Sequence, residues 1–303
     1  MGSFDGLEKR FSPYGVPIDL GRSPKILYHY TDSAGLLGML QHNVIWTTEY
    51  RFLNDRSEID HTQSMVREIL DDRIAKNSDG DLSRFYARAL HELSTPRDTE
   101  QVFFFSLSEE RDSLSQWRGY ARDGCGFTLG FDLHVLANTA EDDAGVFGIC
   151  RVEYDHDVQR RGMEAALDAI EKRLVTLIKG KTAAQIGALI VEAARSFEVI
   201  VWNRAVSNKH SSFESEKEWR LFYFTAKESL PHVKVRSRGL ALVPYVEFTA
   251  AELGGEDGKL PVVEVGIGPG FSDRSQALPV VSLCRQTGYD MDHYFASAPY
   301  RSG

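Results

Sequence analysis

Cysteine is scarce in this chain: three stand in 303 residues, at positions 125, 150 and 284. They are too few for a disulfide scaffold and too widely spaced for a metal motif. A reduced, cytoplasmic setting is the expectation. Cations are outnumbered, 35 Lys and Arg against 44 Asp and Glu, for a formal net charge of -9. That balance argues against a non-specific grip on nucleic acid, which depends on neutralising phosphates; a local basic patch stays open. No apolar run approaches the ~20 residues of a membrane helix, and MGSFDGLEKRF lacks the basic and apolar regions of a signal peptide. No membrane partner is expected. Also missing are a P-loop, a GxGxxG opening a helix, GxSxG and HExxH. GIGPG at 266–270 reads as a strand-ending turn because of Pro269. His61 and His91 have no spaced partner ligands and His210 has no second His nearby, so no metal is expected.

What is present is an ordinary globular composition, 42% hydrophobic, able to bury a large core. Residues 1–24 show no period and read as an N-terminal arm on the surface. From 25 to 303 we expect a single domain. ILYHYT at 26–31 reads as a strand, Asp32 or Ser33 as the cap of a helix with Leu36, Leu37 and Leu40 on one face, and residues 45–48 as a second strand. Helices are expected near 58–74, from Ile59, Met65, Val66, Ile69 and Leu70 at helical spacing, and at 82–93. QVFFFSLSEE from 101 is a buried strand, 113–121 a short helix, and GFTLGFD at 126–132 a strand partnered by FGICRVEYD at 147–155. A helical insertion at about 158–206 follows. Strands come after it at 216–224, 233–237, 242–249 and 262–270. Strand and helix first, then mostly strands, gives an α+β class with a mixed or antiparallel sheet.

Three groups of residues carry candidate chemistry. His29 sits between Tyr28 and Tyr30 in the first strand. By itself such a ring is more often a core His bonded to backbone, but Gly35 and Gly38 in the helix that follows would leave the strand's end open to a ligand. In FLNDRSE, Asn54, Asp55 and Glu58 read first as a turn or helix cap, with Asn54 also able to face a cleft. In SQWRGYA, Trp117 and Tyr120 share a helix face and read as packing, yet Ser115, Gln116 and Arg118 among them make a polar edge beside flat rings, suited to a nucleobase or nicotinamide. In EKEWRLF, Glu216, Glu218 and Arg220 alternate with Lys217, Trp219 and Leu221. Either Arg220 pairs with Glu218 on a solvated strand edge, or the carboxylates line an accessible face and stabilise a developing cation.

LYHYT, the Gly-Leu-Leu-Gly helix, FLNDRSE, FSLSEERDSLSQWRGYARDGCGFTLGFD, SFESEKEWRLF, IGPG and the terminal PYR together resemble a bacterial family catalogued as domain of unknown function 2971, over roughly Ile26 to Arg301. A first-strand His after an apolar residue and a Tyr, then a Thr and a short helix, then a late-strand Glu is similar to the ADP-ribosyltransferase layout, including toxins that modify nucleic acid. That resemblance implies an ADP-ribosyltransferase-like fold and NAD as co-substrate. It implies His29 on the adenosine ribose, Trp117 or Tyr120 stacked on nicotinamide, and Glu218 on the nicotinamide ribose as the catalytic residue, with Tyr30, Thr31 and Ser115 also among the residues that bind NAD. Glu216 and Glu218 resemble the paired glutamates of Arg-modifying members.

The expectation is an NAD-dependent ADP-ribosyltransferase or NAD glycohydrolase acting as a toxin or antiphage effector. Its partners would be NAD, a nucleic-acid or protein acceptor, and an antitoxin or other defence-system protein. A non-catalytic nucleotide-binding or regulatory module is the alternative, and a nucleic-acid-processing enzyme a second one.

Overall fold

Alternating stretches became strands and 3.6-spaced stretches became helices in the computed structural model, which describes residues 3–11, 18–53, 57–77, 80–94, 100–138, 145–226, 232–271 and 274–298. The elements, in order, are α1 (Asp5–Phe11), β1 (Ile26–Thr31), α2 (Ser33–His42), β2 (Val44–Glu49), α3 (Ser57–Lys76), α4 (Asp81–Ser94), β3 (Glu100–Ser108), α5 (Leu114–Tyr120), β4 (Phe127–Asp132), α6 (Leu133–Leu136), β5 (Gly145–Arg151), α7 (His156–Leu177), α8 (Ala183–Ala205), β6 (Glu218–Ala226), β7 (Lys234–Arg238), β8 (Ala241–Thr249), β9 (Val262–Ile267), α9 (Ala277–Thr287) and β10 (Asp292–Phe295). The class is α+β with a mixed sheet, since β9 and β10 run parallel and the other pairings are antiparallel. Among the described residues no helix is long and apolar enough to cross a membrane.

Two compact units divide the chain. One comprises Met1–Pro17, Asn54–Asp98 and Val152–Phe213. Its core is helical: Met65, Val66, Ile69 and Leu70 of α3 join Phe85 and Ala89 of α4, Leu167 and Ile170 of α7, and Ala193 and Phe197 of α8. Phe4 and Phe11 bury in the same core, so part of the segment expected as a surface arm is a packed helix. The stretch expected as an insertion at about 158–206 supplies α7 and α8, and two earlier segments complete that core. A capping box in which Thr182 and Gln185 bond each other's backbone fixes the start of α8.

The other unit, Ile18–Leu53, Thr99–Arg151 and Glu214–Gly303, holds the sheet. Strand order runs β10-β9-β4-β1-β3-β2-β8-β7, with β6 on β3 and β5 on β6. The expected pairing of β4 with β5 does not occur. Both edges of β4 are taken, by β1 with Tyr30 opposite Thr128 and by β9 with Leu129 opposite Val265, so β5 pairs with β6. One sheet face is the main core, including Leu27, Phe105, Phe131, Leu221 and Phe248; each such side chain contributes about 1.5–3 kcal/mol on burial. Leu36, Met39 and Leu40 of α2 pack there, while Leu37 points outward at 42% exposure. Asp32 caps α2 by accepting from the Gly35 amide, worth about 1 kcal/mol. The freedom expected at Gly35 is already used: a Cβ there would meet Thr31 Oγ1 at 2.0 Å. Two elements give no clear signal in the sequence. α9 carries Pro279, a breaker that the first helical turn tolerates, and β10 has four residues, too few to show a period.

Candidate functional site

β3 is the strand on which the site is built. β6 pairs with it along its whole length, from Glu100 opposite Ala226 to Ser108 opposite Glu218. On its other edge, β2 is in register at Phe103 and Phe104 and β1 only at Ser108. Between those contacts the ladder forks, leaving Phe105–Leu107 without a strand partner on that edge. His29 fills the fork: its Nδ1–H donates to the Ser106 carbonyl at 2.9 Å and its ring stacks on Phe105, centroids 4.1 Å apart at 20°. A carbonyl only accepts, so Nδ1 carries the proton and Nε2 is a bare acceptor. Although His29 is only half-buried, the protein atoms around it desolvate the ring. That effect outweighs the Ser106 bond, and with a smaller push from the Arg236 charge lowers the pKa to about 4.

The fork opens into a cleft of about 50 Å³ lined by Tyr28, His29, Tyr30, Ser106, Leu107, Gln116, Tyr120, Glu216 and Glu218. Four elements and the 3-10 turn before β6 thus bring together residues up to 190 positions apart in the chain, His29 and Glu218 among them. Gln116 is 6% exposed and its amide makes no hydrogen bond among the described residues. Tyr120, 41% exposed, donates its hydroxyl to Glu216 Oε1 at 2.9 Å, tying the α5 side of the cleft to the segment before β6.

Glu218 and Arg220 form the pair expected between them, but not on a solvated edge. β6 lies between β3 and β5. Arg220 is 1% exposed and Glu218 5%. Two parallel bonds of 2.9 Å, from Nε to Oε1 and from Nη2 to Oε2, join them, and the guanidinium lies over Phe104, 5.0 Å from the ring centre. Trp219 and Leu221 occupy the opposite, core face. Alternation in sequence separated the two faces correctly, yet both are covered.

Trp117 is fully buried, edge-on to Tyr30 at 4.9 Å, with its indole N–H on Asp112 Oδ1 at 2.8 Å. Of the two aromatics, Tyr120 is the one that lines the cleft. Ser115 is exposed and bonds Ser113 Oγ. Thr31 is buried against α2 at Gly35. Glu216 ends a 3-10 turn rather than starting the strand. Asn54, Asp55 and the Glu58 side chain lie outside the described residues.

Other groups on the polar face come to light only in three dimensions. Tyr28 donates to Glu264 Oε1 at 2.7 Å, and Arg111 takes both Glu264 oxygens. Burial would raise the Glu264 carboxyl, but the bonds from Arg111 and Tyr28 outweigh it and hold the group below its ordinary range. Asp112 accepts from Trp117, Ser297 and the Ala298 amide, anchoring the segment after β10 beside α5. In the helical unit, the rings of His156 and His210 lie 5.9 and 5.6 Å from that of His61, whose Nε2 is engaged by Gln159. No group that could hold a metal ion occurs among the described residues.

A family model described as Protein of unknown function (DUF2971) matches residues 116–221. The match supports the family resemblance over the stretch from Gln116 through Leu221 and does not reach β1. No curated protein and no solved structure matches the chain significantly.

Proposed function

We propose that the fork cleft binds NAD and that the protein is an NAD-dependent ADP-ribosyltransferase or NAD glycohydrolase on an ADP-ribosyltransferase-like fold, serving as a toxin or antiphage effector. One observation carries the reading. The Nε2 of His29 and the amide of Gln116, both without a hydrogen-bond partner among the described residues, line one cleft with the Glu218 carboxylate. A neutral ring acceptor and a carboxylate suit the hydroxyl donors of ribose, and a free amide suits a carboxamide. Tyr120 adds a ring for stacking.

In this reading the bond from ribose C1 to the nicotinamide nitrogen breaks, and its electron pair leaves with nicotinamide. The positive charge left on the ribosyl group is stabilised by Glu218, itself held in place by Arg220. Water or an acceptor group on nucleic acid or protein attacks C1 and gives up a proton. A cleft of about 50 Å³ is smaller than a nucleotide requires. Entry therefore parts the Tyr120–Glu216 bond, which ties two of its walls together. A restraining antitoxin and a cytoplasmic location belong to the same proposal.

The test is incubation with NAD labelled in either half, with protein and nucleic-acid acceptors present. Release of nicotinamide, lost in Glu218→Gln, is the expected outcome. Neither nicotinamide nor labelled product from any mixture would overturn it. A second reading, a non-catalytic nucleotide-binding or regulatory module, is favoured by the fact that both Glu218 oxygens are already engaged by Arg220. Thermal stabilisation by NAD without turnover, unchanged in Glu218→Gln, would select it.

A further inference from the structure

β7 reads KVRSR, so Lys234, Arg236 and Arg238 occupy alternate positions and share a sheet face. Lys234 pairs with Glu247 at 2.8 Å. Arg236 has no such carboxylate among the described residues. Its guanidinium makes one hydrogen bond, from Nη2 to the Thr48 hydroxyl at 2.8 Å, and lies over Trp46 and Tyr245, 5.3 and 5.8 Å from their ring centres. Its Nε is buried with no acceptor. Burial, then the neighbouring Arg238 charge, push its pKa down, against a smaller opposing effect from Tyr245. A buried donor on a cation without a counter-ion is unfavourable, and a bound anion relieves it.

The position of this guanidinium is informative. Thr48 stands opposite Phe104 in the ladder, and Phe104 is two residues from Ser106, whose carbonyl holds His29. An anion on Arg236 would therefore lie beside the fork cleft. The Nε edge of a guanidinium presents Nε–H and Nη2–H in parallel, the fork that matches two oxygens of a phosphate; here Nη2 already donates to the Thr48 hydroxyl, and Nε–H is the donor left without an acceptor. Arg238, two residues on, favours a dianion over a single carboxylate.

We propose that Arg236, with the Thr48 hydroxyl and the shelf formed by Trp46 and Tyr245, binds a phosphoryl group of a nucleotide. The inference rests on the NAD reading only for the identity of the nucleoside attached to that phosphate. Phosphate recognition is therefore tested without reading any turnover.

Calorimetric titration of the whole protein at low salt with pyrophosphate, ADP, adenosine and acetate separates the outcomes. Pyrophosphate and ADP are expected to bind, and Arg236→Gln to weaken both by at least about tenfold, with adenosine unaffected and Arg22→Gln unchanged. Arg236→Lys, which keeps the charge but loses the fork, is expected to weaken both less than Arg236→Gln does. It serves in place of Arg236→Gln if melting curves show that variant unfolded. Absence of pyrophosphate and ADP binding, equal binding in the Arg236 variants, acetate binding as tightly as pyrophosphate, or binding of a short single-stranded oligonucleotide without ADP would each overturn the proposal. Failure of nicotinamide release alongside Arg236-dependent ADP binding would sink the NAD chemistry and leave the phosphate site standing.

Discussion

Arg220 and Arg236 lie on the same face of one sheet, one over Phe104 and the other bonded to Thr48, residues directly opposite each other in the ladder. Arg220 makes two parallel bonds to Glu218, two positions away on its own strand. Arg236 has cations at the two corresponding positions, Lys234 and Arg238, and is left with a buried, empty Nε. The difference comes from which residue types stand at i±2 on a strand. A carboxylate there closes the guanidinium into the scaffold, and a second cation leaves it ready for a ligand.

Removing the partner of the closed arginine should give the largest effect. Glu218→Gln removes the carboxylate that holds a guanidinium 1% exposed, and about 3–5 kcal/mol of stability should be lost in urea unfolding. Replacing both partners, Glu218→Leu with Arg220→Met, should recover most of that loss, because an apolar pair needs no compensation. The double variant then separates a scaffold role from a catalytic one: if Glu218 acts on substrate, it is folded and inactive.

A middle-sized effect belongs to His29, which is bonded to the Ser106 carbonyl and stacked on Phe105. Its folded pKa of about 4 lies below the ordinary value of 6.5, so the unfolded chain takes up the proton first. Stability is complete above pH 6.5 and falls as pH drops toward about 4, by on the order of 3 kcal/mol. Urea unfolding at a series of pH values should show this slope, and His29→Gln should flatten it. An unchanged slope would mean that another group carries it.

The smallest effect is expected at the open arginine. Arg236→Gln gives up two ring contacts but relieves an unpaired, partly buried charge, so stability should move by about 1 kcal/mol or less. A loss as large as that of Glu218→Gln would show that Arg236 has a structural partner after all and erase the contrast.

Two ends of the cleft are legible in the amino-acid sequence. The alternation in ILYHYT and EKEWRLF places His29 and Glu218 on strands, and both line one cleft. Between Trp117 and Tyr120 the sequence offers no choice, since both fall on one helix face; burial makes the first a core ring and leaves the second at the cleft. Arg236 does not stand out, because KVRSR looks like a solvated edge strand. Its significance lies in the lack of a paired acid among the described residues, a property of three strands. The β4–β5 pairing is misjudged because closeness in sequence says nothing about whether an edge is already occupied.

The sequence by itself determined the local elements: where strands and helices form, the Asp32 cap, the two faces of β6, and the α+β class. Those depend on side-chain period and backbone bonding within a few residues. The tertiary structure alone decided that β1 and β2 share one edge of β3 and leave a fork for His29, that the polar face of β6 is covered as well as the apolar one, and that Arg236 has no counter-ion among the described residues. Each of these depends on strands distant in sequence meeting in a particular register, and a period of two encodes a face without saying what will lie against it.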